Sequence, residues 1–200
     1  MLAQALKSYE RVYPLYVRKG LKWEGAELVL LKKLLASLKS DGLAHLTCLD
    51  LPLEAVYQRH WALGEFGTPG AQAPDAAVFL PGRNLLLLSV AGLFCALRRI
   101  STLWLGTLKG NPFQDAKAGF IQQVERLLEQ SVGFSVRIAT PFRELTKAQV
   151  IRRYRDLPWE KTFSCLSPIG GKHCGHCQKC AERRKGFLHA GVPDPTLTAR

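Results

Sequence analysis

The 200-residue sequence has no apolar run of the roughly 18 to 20 residues that a helical membrane span needs. Its first residues, Met1-Leu2-Ala3-Gln4-Ala5-Leu6-Lys7, lack the charge-then-apolar order of a secretion signal. The chain is therefore expected in the cytoplasm, with no membrane partner. Acidic residues are few, 16 against 28 lysines and arginines, and the resulting net charge of +12 points to a partner that carries phosphate, a nucleotide or a nucleic acid. Cysteine is also scarce, six residues in all. Cys48 and Cys95 fall in apolar stretches and read as ordinary buried thiols, and without an export signal no disulfide framework is expected.

The other four cysteines lie within sixteen residues, Cys165-Leu-Ser-Pro-Ile-Gly-Gly-Lys-His-Cys174-Gly-His-Cys177-Gln-Lys-Cys180. The last three are spaced by pairs of residues, the spacing with which tight turns aim thiolates at one ion, and four soft ligands suit tetrahedral Zn²⁺. Gly170, Gly171 and Gly175 let the backbone turn around the ion, and Lys172, Lys179, Arg183, Arg184 and Lys185 would offset the surplus negative charge. With four thiols present, His173 and His176 read as exposed turn residues. A closed four-thiolate shell leaves no position for water or substrate, so the zinc is expected to be structural.

Upstream, apolar strands alternate with helices. Strands are expected at Val12 to Val17, His45 to Leu49, Ser101 to Gly106 and Val136 to Thr140; helices at Met1 to Tyr9, Trp23 to Leu38, Leu85 to Leu97, Asp115 to Gln130 and Thr146 to Arg153. The helix at Trp23 to Leu38 carries a leucine stripe, and the almost wholly apolar one at Leu85 to Leu97 must be buried. The pattern predicts an α/β fold, a doubly wound parallel sheet with helices on both faces, plus a small C-terminal zinc-binding segment. Ligands bind such sheets at the C-terminal strand ends. There stand Arg18 and Lys19, Pro81-Gly82-Arg83-Asn84, and Gly106-Thr107-Leu108-Lys109-Gly110-Asn111. Gly82 permits close approach, Asn84 can cap the helix whose free N–H groups would face an anion, and Arg83 adds a bidentate donor. Trp23, Trp61, Trp104 and Trp159 read as core or interface anchors, and the end after Val192-Pro193-Asp194-Pro195 as mobile.

Phe79 to Asn84, the strand ending at Gly106, the helix opening at Asp115, the phrase Thr140-Pro-Phe-Arg-Glu-Leu-Thr-Lys147, and the tail from Thr162 through Cys180 to Arg183 and Asp194-Pro195 together resemble the 7-cyano-7-deazaguanine synthase family. That family belongs to the adenine nucleotide alpha-hydrolase, or PP-loop ATPase, superfamily, and the resemblance runs in order along nearly the whole chain. It implies an ATP-dependent ligase of queuosine biosynthesis that joins 7-carboxy-7-deazaguanine and ammonia through an acyl-adenylate and forms the nitrile. It further implies one zinc on Cys165, Cys174, Cys177 and Cys180, magnesium with the ATP, and a homodimer. Pro81 to Asn84 and Gly106 would line the nucleotide and substrate pocket, with Thr107 and Asp115 beside them and Arg18 at the neighbouring strand end. Arg83 and Lys147 would stabilise the charge that builds on the α-phosphate as pyrophosphate leaves. On this reading residues 1–157 form a PP-loop ATPase-like domain and residues 158–200 the zinc-binding helical segment.

Two departures qualify the resemblance. The family begins with a strand and a Ser-Gly-Gly-x-Asp-Ser loop that holds the pyrophosphate of ATP, and these 200 residues contain no such sequence; Met1 to Lys7 matches the helix that follows it. The expectation is a start upstream of Met1, because loss of a central strand would leave the Val12 strand beside an open apolar edge. The alternative is a shortened, inactive relative. Second, the family's Tyr-Pro-Asp-Cys-Arg stands here as Phe113-Gln114-Asp115-Ala116-Lys117, and lysine cannot reproduce an arginine fork. Two rivals remain open. One is a zinc-knuckle module that binds nucleic acid through Arg183-Arg184-Lys185, favoured by charge but not by aromatic pattern; the other, a sulfur- or amide-transferring enzyme acting on tRNA, needs a reactive cysteine outside the zinc set.

Overall fold

In the computed structural model, which describes residues 1–64 and 67–196, helices and strands alternate as the apolar pattern requires. Helix α1 (Leu2–Ser8) is followed by β1 (Leu15–Arg18), α2 (Glu24–Ser37), β2 (Thr47–Asp50), the short α3 (Glu54–Tyr57), α4 (Arg83–Leu97), β3 (Thr102–Trp104), α5 (Ala118–Val132), β4 (Arg137–Ala139), α6 (Lys147–Arg153) and α7 (Gln178–Ala190). The chain is α/β with parallel strands. Among the described residues the strands form two two-stranded parallel sheets, β1-β2 and β3-β4, where a single larger sheet was expected. Of the mobile end expected after Pro195, Thr196 is described, donating its N–H and hydroxyl to Asp194 Oδ1 at 3.0 and 2.9 Å, and residues 197–200 lie outside the described residues.

The chain divides into two compact units, Phe79–Lys147 with Met1, and Leu2–Val78 with Ala148–Arg200. In the first, α4 precedes β3 and α5 links β3 to β4. The core joins Leu88 of α4, Ile121, Val124 and Leu128 of α5 and Ile138 of β4. Residues 121, 124 and 128 recur at the spacing that lines one helix face. Gly92 explains how closely α4 and α5 approach: a Cβ there would lie 2.3 Å from Leu128 Cδ1. The expectation that α4 is wholly buried is corrected, since Leu85, Leu93 and Leu97 are 42%, 41% and 80% exposed. Its hydrophobicity exceeds what one packed face can cover.

In the second unit β1 pairs with β2 in register from Leu15 with Thr47 to Arg18 with Asp50. The strand expected from Val12 is interrupted. Val12 bridges Leu43 in parallel, but Pro14 follows, and proline has no N–H for a ladder. β2 is half-buried and exposed at alternate residues, which puts Cys48 on the exposed side, not buried as its apolar neighbours suggested; Cys95 is buried as expected. The leucine stripe of α2 is only half-buried. Its fully buried residue is Glu24, whose carboxylate accepts the backbone N–H of Lys19 at 2.8 Å and of Gly20 at 3.2 Å and pairs with Lys19 Nζ at 3.7 Å. Ile151 of α6 and Phe187 and Ala190 of α7 make a second small core with Trp159 and Val192. Among the described residues no helix is long and apolar enough to cross a membrane.

Candidate active site and metal centre

Helix α5 links the parallel strands β3 and β4, so the loops after both strands lie at the C-terminal edge of that sheet, and hydrogen bonds from Asn84 to Asp115 bring the start of α4 to the same edge. Hydrogen bonds tie them together. Leu105 N–H donates to Ala139 O at 2.9 Å, and Lys109 N–H donates to Leu145 O at 2.9 Å, two residues before Lys147 opens α6. Phe79 stacks on Phe113 with centroids 5.1 Å apart.

Asn84 does not cap α4. The cap position is Gly82, in the left-handed conformation at φ 69°, without a side-chain hydrogen bond. The capping oxygens come from across the chain: Asp115 Oδ2 accepts the Asn84 backbone N–H at 3.0 Å, and Oδ1 accepts from Asn84 Nδ2 at 3.2 Å. A carboxylate at this end faces the positive pole of the helix. Arg83 is exposed at the first turn, Gly106 is packed against the Met1 thioether, and Thr107 is buried with its hydroxyl lacking a partner among the described residues. Lys117 Nζ donates to Asn111 O at 3.1 Å, so its charge serves its own loop. The first unit thus holds Gly82, Arg83, Asn84, Gly106, Thr107, Asp115 and Lys147. Arg18 lies in the second unit, where it meets Asp50 across β1 and β2 at 3.4 Å on the surface.

The four cysteines of the second unit are all buried, and their sulfurs lie within 4.8 Å of one another. Cys174 and Cys180 are 3.9 Å apart and Cys165 and Cys177 4.0 Å. Disulfide sulfurs would stand at about 2.0 Å, whereas four sulfurs about 2.3 Å from one tetrahedral ion stand about 3.8 Å apart. The donor set fits a metal ion. Backbone N–H groups already face the sulfurs: Leu166 donates to Cys177 at 3.4 Å, Ser167 and Cys174 to Cys165 at 3.4 and 3.3 Å, and Cys177 to Cys174 at 3.4 Å. Sharing hydrogen bonds with Cys165 and Cys180 pulls the Cys177 thiol down, while its bond to Cys177 pushes Cys165 up to about 12. Gly170, Gly171 and Gly175 all adopt positive φ, the freedom the turn requires.

The surroundings differ from those read in the sequence. Arg183 is spent elsewhere: it is buried against Asp194, with Nε 2.9 Å from Oδ2. Lys179 pairs with Glu182, and Arg184 donates to Gly175 O at 3.0 Å. The basic run offered to nucleic acid therefore loses its first member. His176 is exposed, but His173 is half-buried, its ring 4.8 Å from Phe163 and its Nε2 accepting the Ser164 N–H at 3.1 Å. Sequence reasoning missed Lys22. Burial lowers its pKa, and the charges of Cys177 and Cys165 oppose that shift, so this lysine, more than a hundred residues away in sequence, shares the field of the thiols. Gly70 also bridges Cys177, and Gln178 Nε2 donates to Asp75 at 2.7 Å. Sequence spacing carries no signal for such distant partners.

A family model for the queuosine biosynthesis protein QueC matches residues 1–191. The chain belongs to the QueC family. Among its curated relatives, a 7-cyano-7-deazaguanine synthase of an Anaeromyxobacter species is 34% identical over 128 residues, 60% of this chain and 55% of the relative. One from Syntrophobacter fumaroxidans is 32% identical over 135 residues, 62% and 58% of the two chains. The 7-cyano-7-deazaguanine synthase 1 of Desulfitobacterium hafniense is 31% identical over 188 residues, 92% of this chain and 83% of the relative. The first two matches thus span little more than half of those QueC relatives.

Proposed function

We propose that the protein is an ATP-dependent carbon–nitrogen ligase that converts 7-carboxy-7-deazaguanine and ammonia to 7-cyano-7-deazaguanine in queuosine biosynthesis. The observation that carries this reading is the meeting of two motif stretches at the α4 N-terminus, where Asp115 accepts from Asn84 in the first turn of the helix, within a family match over residues 1–191. The buried Thr107 hydroxyl gives further support, because an unpartnered buried hydroxyl calls for a ligand or water.

The substrate carboxylate attacks the α-phosphate of ATP, and the negative charge that builds there is stabilised by Arg83 and Lys147 as pyrophosphate leaves; magnesium carried with the ATP would add to that stabilisation. Ammonia then displaces AMP from the acyl-adenylate, and a second activation removes water from the amide. Gly82, Asn84, Gly106 and Thr107 line the nucleotide and substrate pocket. Cys165, Cys174, Cys177 and Cys180 hold one structural zinc in residues 158–200, the zinc-binding helical segment that follows the doubly wound, PP-loop ATPase-like residues 1–157. The protein acts in the cytoplasm, as a homodimer. The altered substrate loop keeps Asp115 but replaces the arginine fork by a lysine engaged with Asn111, so substrate contacts there are fewer.

The test is conversion by the purified full-length protein, with zinc and magnesium, of 7-carboxy-7-deazaguanine, ammonia and ATP. Mass spectrometry should find the nitrile, with pyrophosphate released in step. If ATP is consumed without either product, the reading is wrong. The binding of RNA by a zinc knuckle is the less favoured reading, since the structure buries Arg183.

A further inference from the structure

Asp115 is buried, and both its oxygens accept from one residue in the first turn of α4. The bond from the Asn84 backbone satisfies one of the N–H groups that a helix leaves free in its first turn. The bond from Asn84 Nδ2 adds nothing to that cap, yet it decides something else. A carboxylate has only acceptors to offer, so the Asn84 amide must turn its NH₂ group toward Asp115 and its oxygen away. Asn84 is half-buried, and its Oδ1 takes no donor among the described residues. The Phe79–Phe113 stack joins the same two stretches a second time, and Phe79 remains 38% exposed, leaving an apolar ring on the loop that leads into α4 and Asn84.

We propose that Asp115 is a positioning residue: by fixing the Asn84 amide it presents Oδ1 as an acceptor that selects a planar nitrogen heterocycle by an N–H donor on its edge. This rests on the ligase reading, under which two ligands carry such an edge, the 7-deazapurine and the adenine of ATP. Asp115 acts here through Asn84, to which both of its oxygens are bonded. A ligand edge bearing only acceptors would face the Asn84 oxygen unpaired and be rejected.

Asp115→Asn tests this because it separates capping from orientation. The substituted amide would keep an oxygen for the helix N–H but turn an NH₂ group toward Asn84, whose own amide would flip and show its NH₂ to the ligand. Asp115→Ala removes the cap but leaves the Asn84 amide free to rotate. Binding of 7-carboxy-7-deazaguanine and, separately, of ATP is measured by calorimetry on the full chain, with melting temperatures beside it. The expected result is an inversion: Asp115→Asn melts closer to wild type than Asp115→Ala yet binds the heterocycle more weakly, by about 10- to 100-fold relative to wild type. A loss confined to one of the two ligands would assign the edge to that ligand. A purely structural role predicts the opposite order, with Asp115→Ala binding worst; that order, or wild-type binding by Asp115→Asn, overturns the inference while leaving the ligase reading intact. Failure of the wild-type chain to bind either ligand overturns both.

Discussion

The Arg183–Asp194 pair makes the sharpest energetic prediction. Its side chains are 4% and 5% exposed, and Arg183 donates from Nε to both Asp194 oxygens at 3.1 and 2.9 Å and from Nη2 to Oδ1 at 3.1 Å. The same guanidinium donates to Thr162 Oγ1 at 2.7 Å and to Trp159 O at 3.0 Å, and lies over the Phe187 ring at 4.8 Å. Asp194→Ala leaves that cation buried and half-satisfied. Removing one partner of a buried pair costs about 3–5 kcal/mol. At about 2–4 °C per kcal/mol for a chain of this size, the melting temperature should fall by about 6–20 °C. Urea melts followed by tryptophan fluorescence measure it. Burial would raise the Asp194 pKa, but the hydrogen bonds from Arg183 and Thr196 outweigh it and hold the carboxyl below 3.8. The stabilisation is therefore complete well above pH 3.8 and lost as pH falls through the lower folded value. Asp194→Ala should flatten the acid limb of the stability profile. A loss under about 1 kcal/mol, the range of exposed pairs, would refute the argument.

Metal analysis should return one zinc per chain, and a strong chelator should unfold the Cys165–Ala190 region, because about 10–16 kcal/mol of zinc binding rivals the whole stability of a domain; a chelated chain with unchanged circular dichroism and melting would contradict this. Gly92→Ala drives a Cβ to within 2.3 Å of Leu128 Cδ1 and should destabilise by about 1–3 kcal/mol in the same urea melts. Arg83→Ala, at an exposed position, should leave stability within about 0.5 kcal/mol while kcat falls about 10²- to 10³-fold. An unchanged kcat would remove Arg83 from the charge stabilisation.

What was legible follows from range. The cysteine cluster was readable because its ligands lie within sixteen residues, and alternating strands and helices were readable because apolar periodicity is local. Contacts closed over long loops were not. Asn84 looked like a cap because it opens an apolar helix, whereas the capping carboxylate comes from Asp115, 31 residues on. Arg183 read as one more charge near the cysteines. It is captured by Asp194 because Gly191, at φ 68°, ends α7 in the left-handed conformation and turns the chain back. Cys48 read as buried from its neighbours' hydrophobicity, but a strand's alternate side chains face opposite ways, and β2 exposes that side.

The most direct test of the central claim, activation of a carboxylate by adenylation, is oxygen-isotope transfer. 7-Carboxy-7-deazaguanine labelled with ¹⁸O in its carboxylate is turned over with ATP and ammonia, and the AMP is weighed by mass spectrometry. The account predicts one ¹⁸O in the AMP phosphate, carried there when ammonia displaces the nucleotide from the acyl-adenylate. Product formed with unlabelled AMP, or with ADP and phosphate instead, would contradict it.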